Sequence, residues 1–250
     1  MLDLKGKHIF IAGGSRGIGA AAAISAAKQG AAVSVNYLSN SAAADAVGKA
    51  VEAEGVPFFS IKADISEDGA LDAAVDQAVE KLGPLTGLVV SAGVFEGYPV
   101  EEMTVEVWDR VMAINVRGTF LAVRAAARHM RSGGGSIVIY TSTAGQRGSA
   151  VMSAYATSKG AQILFMKSMA LELASSKIRV NCVAPAWTET DMAAPSLDAL
   201  GREKVAAGFP LGRIGLPQDI ANATTFLLSD EAAFITGSTI TVDGGMDMRG

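Results

Sequence analysis

Short runs of Val, Ile and Phe recur along the chain, and a longer alanine-rich stretch follows most of them. His8–Ala12, Ala32–Tyr37, Phe58–Lys62, Gly87–Ser91, Ser136–Thr141, Ile178–Ala184 and Thr239–Val242 are predicted strands. Helices are predicted near 17–30, 41–54, 67–82, 104–131, 151–174 and 217–229. Strands rich in Val and Ile without regular polar alternation are buried on both faces, as in a parallel sheet. Strict alternation of strand and helix implies right-handed crossovers, with helices on both faces. The expected fold class is α/β: a doubly wound, seven-stranded parallel sheet whose ligand sits at the carboxyl ends of the strands. Residues 186–212 break the pattern. They carry Pro195, Gly201, Gly208 and Pro210 with no clean periodicity, and their place makes them a candidate lid over a substrate.

Composition narrows the class. With 250 residues, half of them hydrophobic, the chain can bury one large core, and no Pro/Ser-rich or charged linker divides it. A single domain over 1–250 is expected. The net charge is -4 and the basic residues form no run, so a nucleic-acid surface is not expected. Cys182 is the one cysteine, which excludes an internal disulfide and fits a reducing compartment; it reads as a core residue rather than a nucleophile. His8 and His129 have no ligand-like neighbours, so no metal site is expected. The chain starts on a strand-like segment without a secretory or transit pattern, and no apolar run approaches the ~18 residues of a membrane span. The expected location is the cytoplasm.

The first predicted strand runs straight into Gly13-Gly14-Ser15-Arg16-Gly17-Ile18-Gly19, and a helix follows. Glycines allow a tight turn and let a pyrophosphate approach the backbone, while the helix N-terminus offers N–H donors and a favourable dipole. In this position the turn points to a nucleotide. A free ribose 2′-hydroxyl is usually met by an acid near the end of the second strand. Here that end reads Asn36-Tyr37-Leu38-Ser39, with no acid before Asp45. Arg16 can meet a 2′-phosphate and Ser39 can hydrogen-bond it. NADP(H) is therefore favoured over NAD(H), the alternative for Arg16 being a solvated loop charge.

Tyr155 and Lys159 stand one helical turn apart, and Ser142 lies thirteen positions before the tyrosine. A free phenol titrates near pH ~10 and is a poor acid or base at neutrality. An ammonium beside it favours the phenolate and lowers that pKa, making a usable general acid/base. A serine at a nearby strand end can hold the oxygen that exchanges the proton.

With both motifs in place, the chain closely resembles the short-chain dehydrogenase/reductase family, with its single-domain Rossmann fold, over essentially its whole length. Ala12 to Gly19 resembles the family's TGxxxGIG turn. Asp64 and Ile65 resemble the segment that contacts the adenine, Ser91-Ala92-Gly93 the NAG motif, and Asn115 to Gly118 the motif with the catalytic asparagine. Asn181 to Pro185 and Thr188 to Asp191 resemble the segment closing over the nicotinamide. Pro210 to Arg213 and Ile235 to Gly245 match the C-terminal pattern. The resemblance implies that Tyr155 exchanges the proton and that Lys159 lowers its pKa and bonds the nicotinamide ribose. It implies that Ser142 positions the carbonyl and that Asn115 holds a water linking Lys159 to solvent. Gly13, Ser15, Arg16, Gly17, Ile18, Gly19, Tyr37, Ser39, Asp64, Ile65, Ser91, Ala92, Gly93, Pro185 and Thr188 complete the expected cofactor site. Three positions depart from the family: Ala12 for threonine, Ser91 for asparagine and Ala186 for glycine.

The implied reaction interconverts a small ketone or aldehyde and its alcohol. Family members that act on carrier-bound 3-oxoacyl groups tend to have an arginine in a Leu-Ala-Arg-Glu run, where this chain has Met169-Ala170-Leu171-Glu172. A basic patch before the fifth strand is replaced by Ser132-Gly133-Gly134-Gly135. An acidic carrier would lose its docking charge, so a free small molecule is favoured. The alternatives are a 3-oxoacyl-[acyl-carrier-protein] reductase and a catalytically inert nucleotide-binding regulator. Phe95, Tyr98, Val151, Met152, Trp187 and Met192 are expected to line a largely apolar pocket, with Ser142 also touching substrate. The resemblance also implies a homotetramer.

Overall fold

A computed structural model describes residues 2–248; Met1, Arg249 and Gly250, part of the expected domain, lie outside the described residues. The strands are β1 His8–Ala12, β2 Ala32–Tyr37, β3 Phe58–Lys62, β4 Gly87–Val90, β5 Gly135–Tyr140, β6 Ile178–Pro185 and β7 Thr239–Val242. They form one sheet in the order β3-β2-β1-β4-β5-β6-β7, every pair parallel. The order reverses between β1 and β4, which opens a crevice at the carboxyl ends of those strands.

Alternation along the central strands builds two cores. Ile9 and Ile11 of β1, Val89 of β4 and Val138 of β5 pack with α1 (Gly17–Lys28), α2 (Ser41–Glu52) and α10 (Pro217–Leu228). Phe10, Leu88, Val90, Ile137 and Ile139 point the other way, against α3 (Ala70–Leu82), α5 (Gly118–Met130) and α7 (Ser153–Leu173). Both faces are therefore apolar, which explains the near-continuous hydrophobic strands.

The helices differ from expectation in three places. The stretch 104–131 is α4 (Val105–Val111), a π-helical turn (Met112–Arg117) and α5, because Asn115 turns its side chain away to Val94. A short helix, α6 (Thr143–Arg147), follows β5 where the sequence suggested none. It is too short to show a periodicity, and its cap, Ser142, looks like the end of a strand. The stretch 186–212 is not featureless either. It holds α8 (Ala194–Leu200) and α9 (Arg202–Ala207), and Leu197 and Phe209 form a small core of their own with Ile214. Pro195 suits the first turn of α8, where a missing N–H costs nothing.

Tyr140 shows how a polar group at the sheet is paired. The Tyr140 hydroxyl meets Thr224 Oγ1 at 2.8 Å, and that threonine hydroxyl donates in turn to the Ile220 carbonyl at 2.9 Å. Both residues are buried. Thr224→Val should therefore cost about 1–3 kcal/mol by stranding the Tyr140 hydroxyl, while the Tyr140→Phe/Thr224→Val pair should cost less than the two single changes summed. Urea unfolding of the three variants checks this.

Candidate active site

Helix α7 carries Tyr155 and Lys159 on adjacent turns of one face, packed against β6 and α6. Lys159 is buried, and its Nζ donates to the Tyr140 carbonyl at the end of β5, 2.8 Å away. The same nitrogen stands 5.7 Å from the centroid of the Tyr155 ring. Ser142, also at the end of β5, is the N-cap of α6: its Oγ accepts the Ala144 N–H at 3.1 Å. Its hydroxyl is near enough to the Tyr155 phenol to act on it, favouring the ionised form. The structure thus brings Ser142, Tyr155 and Lys159 together at the carboxyl end of the sheet.

The electrostatics correct one expectation. Burial raises the Tyr155 pKa above that of a free phenol, and the Ser142 hydroxyl is the group that pulls it down. Burial outweighs any lowering by the Lys159 ammonium, whose Nζ is directed at the Tyr140 carbonyl. Desolvation depresses Lys159 itself to about 8, with the nearby Cys182 sulfur acting the other way. The Cys182 thiol is pushed up to about 12 by burial, so it stays protonated and inert.

Asn115 is fully buried in the π-helical turn. Its Oδ1 accepts the Val94 N–H at 2.8 Å, and its Nδ2 donates to the Val94 carbonyl and to Ser158 Oγ, both at 3.0 Å. Ser158 passes the contact on, donating to the Tyr155 carbonyl at 2.7 Å. The Asn115 carbonyl already accepts two donors, Thr119 Oγ1 at 2.7 Å and Gln162 Nε2 at 2.8 Å. Thr119 and Gln162 thus hold that oxygen from two sides. Gly93 lies between this network and Lys159: a carbon added at its Cα would be 3.0 Å from Asn115 Oδ1 and 3.7 Å from Lys159 Nζ.

The glycine turn joins β1 to α1, and no side chain caps that helix. Its first-turn N–H groups, at Gly17, Ile18 and Gly19, have no intrahelical partner and open on the crevice, which suits a pyrophosphate. Gly13 has φ 82, and a Cβ there would be 2.7 Å from the Ala92 backbone. The Ala12 carbonyl accepts both the Ser91 and the Ala92 N–H at 2.8 Å. Asn36, not singled out from the sequence, braces the turn: its Oδ1 accepts the Gly13 N–H at 2.9 Å, and its Nδ2 donates to the Ala63 carbonyl at 2.8 Å. Its position at the strand end, among apolar neighbours, was the available signal.

Arg16 and Ser39 are exposed, Tyr37 is half-buried, and the Arg16 side chain makes no hydrogen bond or ion pair among the described residues. Asp64 Oδ1 is held by the Ser66 N–H at 2.8 Å and the Ser66 hydroxyl at 2.7 Å, and Ile65 is buried. Thr188 turns its hydroxyl onto the Ala186 carbonyl at 3.0 Å and pairs with Gly215. Thr190 is the residue that reaches the phosphate turn: its Cγ2 is 3.4 Å from where a Cβ on Gly17 would stand.

On the substrate side, Phe95 meets Tyr155 edge-on at 4.9 Å and Trp187 at 5.7 Å between ring centroids. Phe95 thus stands between the phenol and Trp187. Met152 packs on Gly97, and the Val151 carbonyl is 2.5 Å from where a Cβ on Gly97 would be, so a side chain there would displace this wall. Val151 adopts φ 55, a strained conformation for a β-branched residue. Tyr98, Val151 and Met192 are exposed. Among the described residues no group of His, Cys, Asp or Glu is placed to hold a metal ion, and no helix is long and apolar enough to cross a membrane.

A lysine that titrates near 8 when folded and near 10.4 when unfolded releases its proton in the folded state first. Between those values the unfolded chain binds more protons, so the Lys159 contribution to stability rises with pH. Wild-type stability should gain up to roughly 1 kcal/mol between pH 8 and 9, before the Cys182 thiol opposes it, and Lys159→Met should flatten that rise. Denaturant unfolding at closely spaced pH values measures it.

The sequence profile of the family described as Enoyl-(Acyl carrier protein) reductase matches residues 12–247. A 2-(S)-hydroxypropyl-CoM dehydrogenase from Xanthobacter autotrophicus is 41% identical over 249 residues, 97% of each chain. The crystal structure of a gluconate 5-dehydrogenase from Burkholderia cenocepacia, in complex with NADP and tartrate, superposes with a TM-score of 0.93 at 30% identity, covering 99% of this chain and 98% of the other. A short-chain type dehydrogenase/reductase from Mycobacterium ulcerans also superposes with a TM-score of 0.93, at 34% identity over 99% of this chain and 92% of that one. The chain belongs to the short-chain dehydrogenase/reductase family, whose members are oxidoreductases acting on CH–OH and carbonyl groups.

Proposed function

We propose that the protein is an NADP(H)-dependent oxidoreductase interconverting a small apolar ketone or aldehyde and its alcohol, with Tyr155 as general acid/base. The observation that carries this is the buried Tyr155 phenol, acted on by the Ser142 hydroxyl and faced by the Phe95 ring, which in turn meets Trp187. A phenol whose pKa is raised by burial is protonated at neutral pH and is ready to donate to a carbonyl oxygen. Ser142 holds that oxygen within reach of the phenol, and both hydroxyls stabilise charge as it develops there. In the oxidative direction Tyr155 takes the alcohol proton back. The buried Lys159 ammonium supplies positive charge behind the phenol. Asn115 fixes Val94 and, through Ser158, the Tyr155 backbone.

A bound nicotinamide cofactor would supply or accept the hydride. The uncapped N-terminus of α1, the Gly13–Ala92 approach and the hydroxyl of Ser15 fit its pyrophosphate, and Asp64 and Ile65 fit the adenine. Arg16 and Ser39, with no acid between Tyr37 and Asn40, favour a 2′-phosphate. Residues 186–212 act as a lid in this reading, since Thr190 reaches from them to Gly17. Exposed Phe120 on α5, and Leu164 and Leu171 on α7, suit a homotetramer, and the lone buried Cys182 suits the cytoplasm. The 37% identity to a 3-oxoacyl-[acyl-carrier-protein] reductase of Staphylococcus aureus, over 97% of this chain, favours a second reading, a reductase of carrier-bound 3-oxoacyl groups, against which stand the uncharged Met169–Leu171 and Ser132–Gly135 runs.

A panel of ketones, alcohols, sugars and acyl thioesters with NADPH and NADH, followed by cofactor absorbance, tests the reading. Simple apolar ketones should turn over best; acyl-carrier thioesters reduced far faster would hand the case to the second reading. Tyr155→Phe should lower kcat by about 10²- to 10⁴-fold while leaving cofactor binding intact. Arg16→Ala should weaken NADP binding by about tenfold and leave NAD nearly unchanged. Tighter binding of NAD than NADP by the wild type would remove the cofactor assignment.

A further inference from the structure

Gln162 lies on α7, three residues past Lys159, and is 1% exposed. The orientation of its amide follows from its neighbours, because a carbonyl must face a donor. Nε2 faces the Asn115 carbonyl at 2.8 Å and Thr119 Oγ1 at 2.6 Å. The opposite end, Oε1, is buried with no hydrogen-bond partner. An apolar side chain would fill the same volume without a desolvated lone pair, so packing does not account for the amide. What the amide does is tie α7 to the π-helical turn at the residue whose side chain grips Val94 and Ser158.

We propose that Gln162 is a positioning residue for the Tyr155–Lys159 pair, acting through Asn115. Its donated bond holds the Asn115 carbonyl, which sets the reach of the Asn115 side chain. That side chain fixes the Gly93–Val94 backbone beside Lys159 Nζ and, through Ser158, the Tyr155 carbonyl. The bare Oε1 is what this placement costs.

The inference rests on the reductase reading, so its test has one arm that needs no turnover. In the full-length protein, Gln162→Leu removes the donated bonds and the unpartnered oxygen together, and Gln162→Met serves if the leucine variant fails to fold. Without any ligand, amide exchange at Val94 should accelerate by about tenfold or more. With cofactor and the best ketone, kcat per cofactor-binding site should fall by about tenfold, while KM for the ketone and Kd for the cofactor move by less than about twofold. A purely structural role would lower the number of binding sites and leave kcat per site unchanged, and that result overturns the proposal. Unchanged Val94 exchange also overturns it. If the wild type reduces no carbonyl but the variant still loses Val94 protection, the reductase reading falls and the Gln162–Asn115 linkage stands.

Discussion

The hydrogen bond from the Lys159 ammonium to the Tyr140 carbonyl organises the catalytic end of this molecule. A cation this deep loses its hydration, and the protein returns only part of it through one backbone oxygen and the face of the Tyr155 ring. That is why its pKa falls towards neutrality. The oxygen belongs to the last residue of β5, two positions before Ser142. One bond therefore fixes the helix that carries the phenol relative to the strand end that carries the serine. The neighbouring contacts, from Ser142 to the phenol and from Ser158 to the Tyr155 carbonyl, are short-range consequences of that placement.

Burial on both sides of the sheet is the second constraint. Alternate residues of β1, β4 and β5 feed two separate apolar layers, so a polar side chain on a central strand needs a partner inside the protein. His8 is an instance: its ring nitrogens meet the Gly83 carbonyl at 2.9 Å and Ser34 Oγ at 2.8 Å, and burial lowers its pKa. Asn36 is another, and there the satisfied amide also shapes the phosphate turn.

Much of this was legible in the sequence. The seven strands follow from uninterrupted Val and Ile runs, and Ser142, Tyr155 and Lys159 converge because one turn of helix and one strand end suffice to bring them together. What escaped was tertiary. The π-helical turn leaves no mark on a helical hydrophobic pattern, since Asn115 differs from its neighbours only in what it reaches. The small core of Leu197, Phe209 and Ile214 is too dispersed for a periodicity to show. Asn36 and Thr190 depend on strand pairing and chain reversal, and the direction of the Tyr155 shift depends on how deeply the phenol is buried. None of these is encoded by spacing along the chain.

Ser142 serves two masters. Its oxygen caps α6 by accepting the Ala144 N–H, while the same hydroxyl acts on the phenol. A chain drifting away from chemistry could not discard this hydroxyl silently, for the loss would also fray the short helix that packs on α7. Inheritance of the reactive group is thereby insured by architecture, and its survival in a descendant would be poor testimony that turnover had survived too.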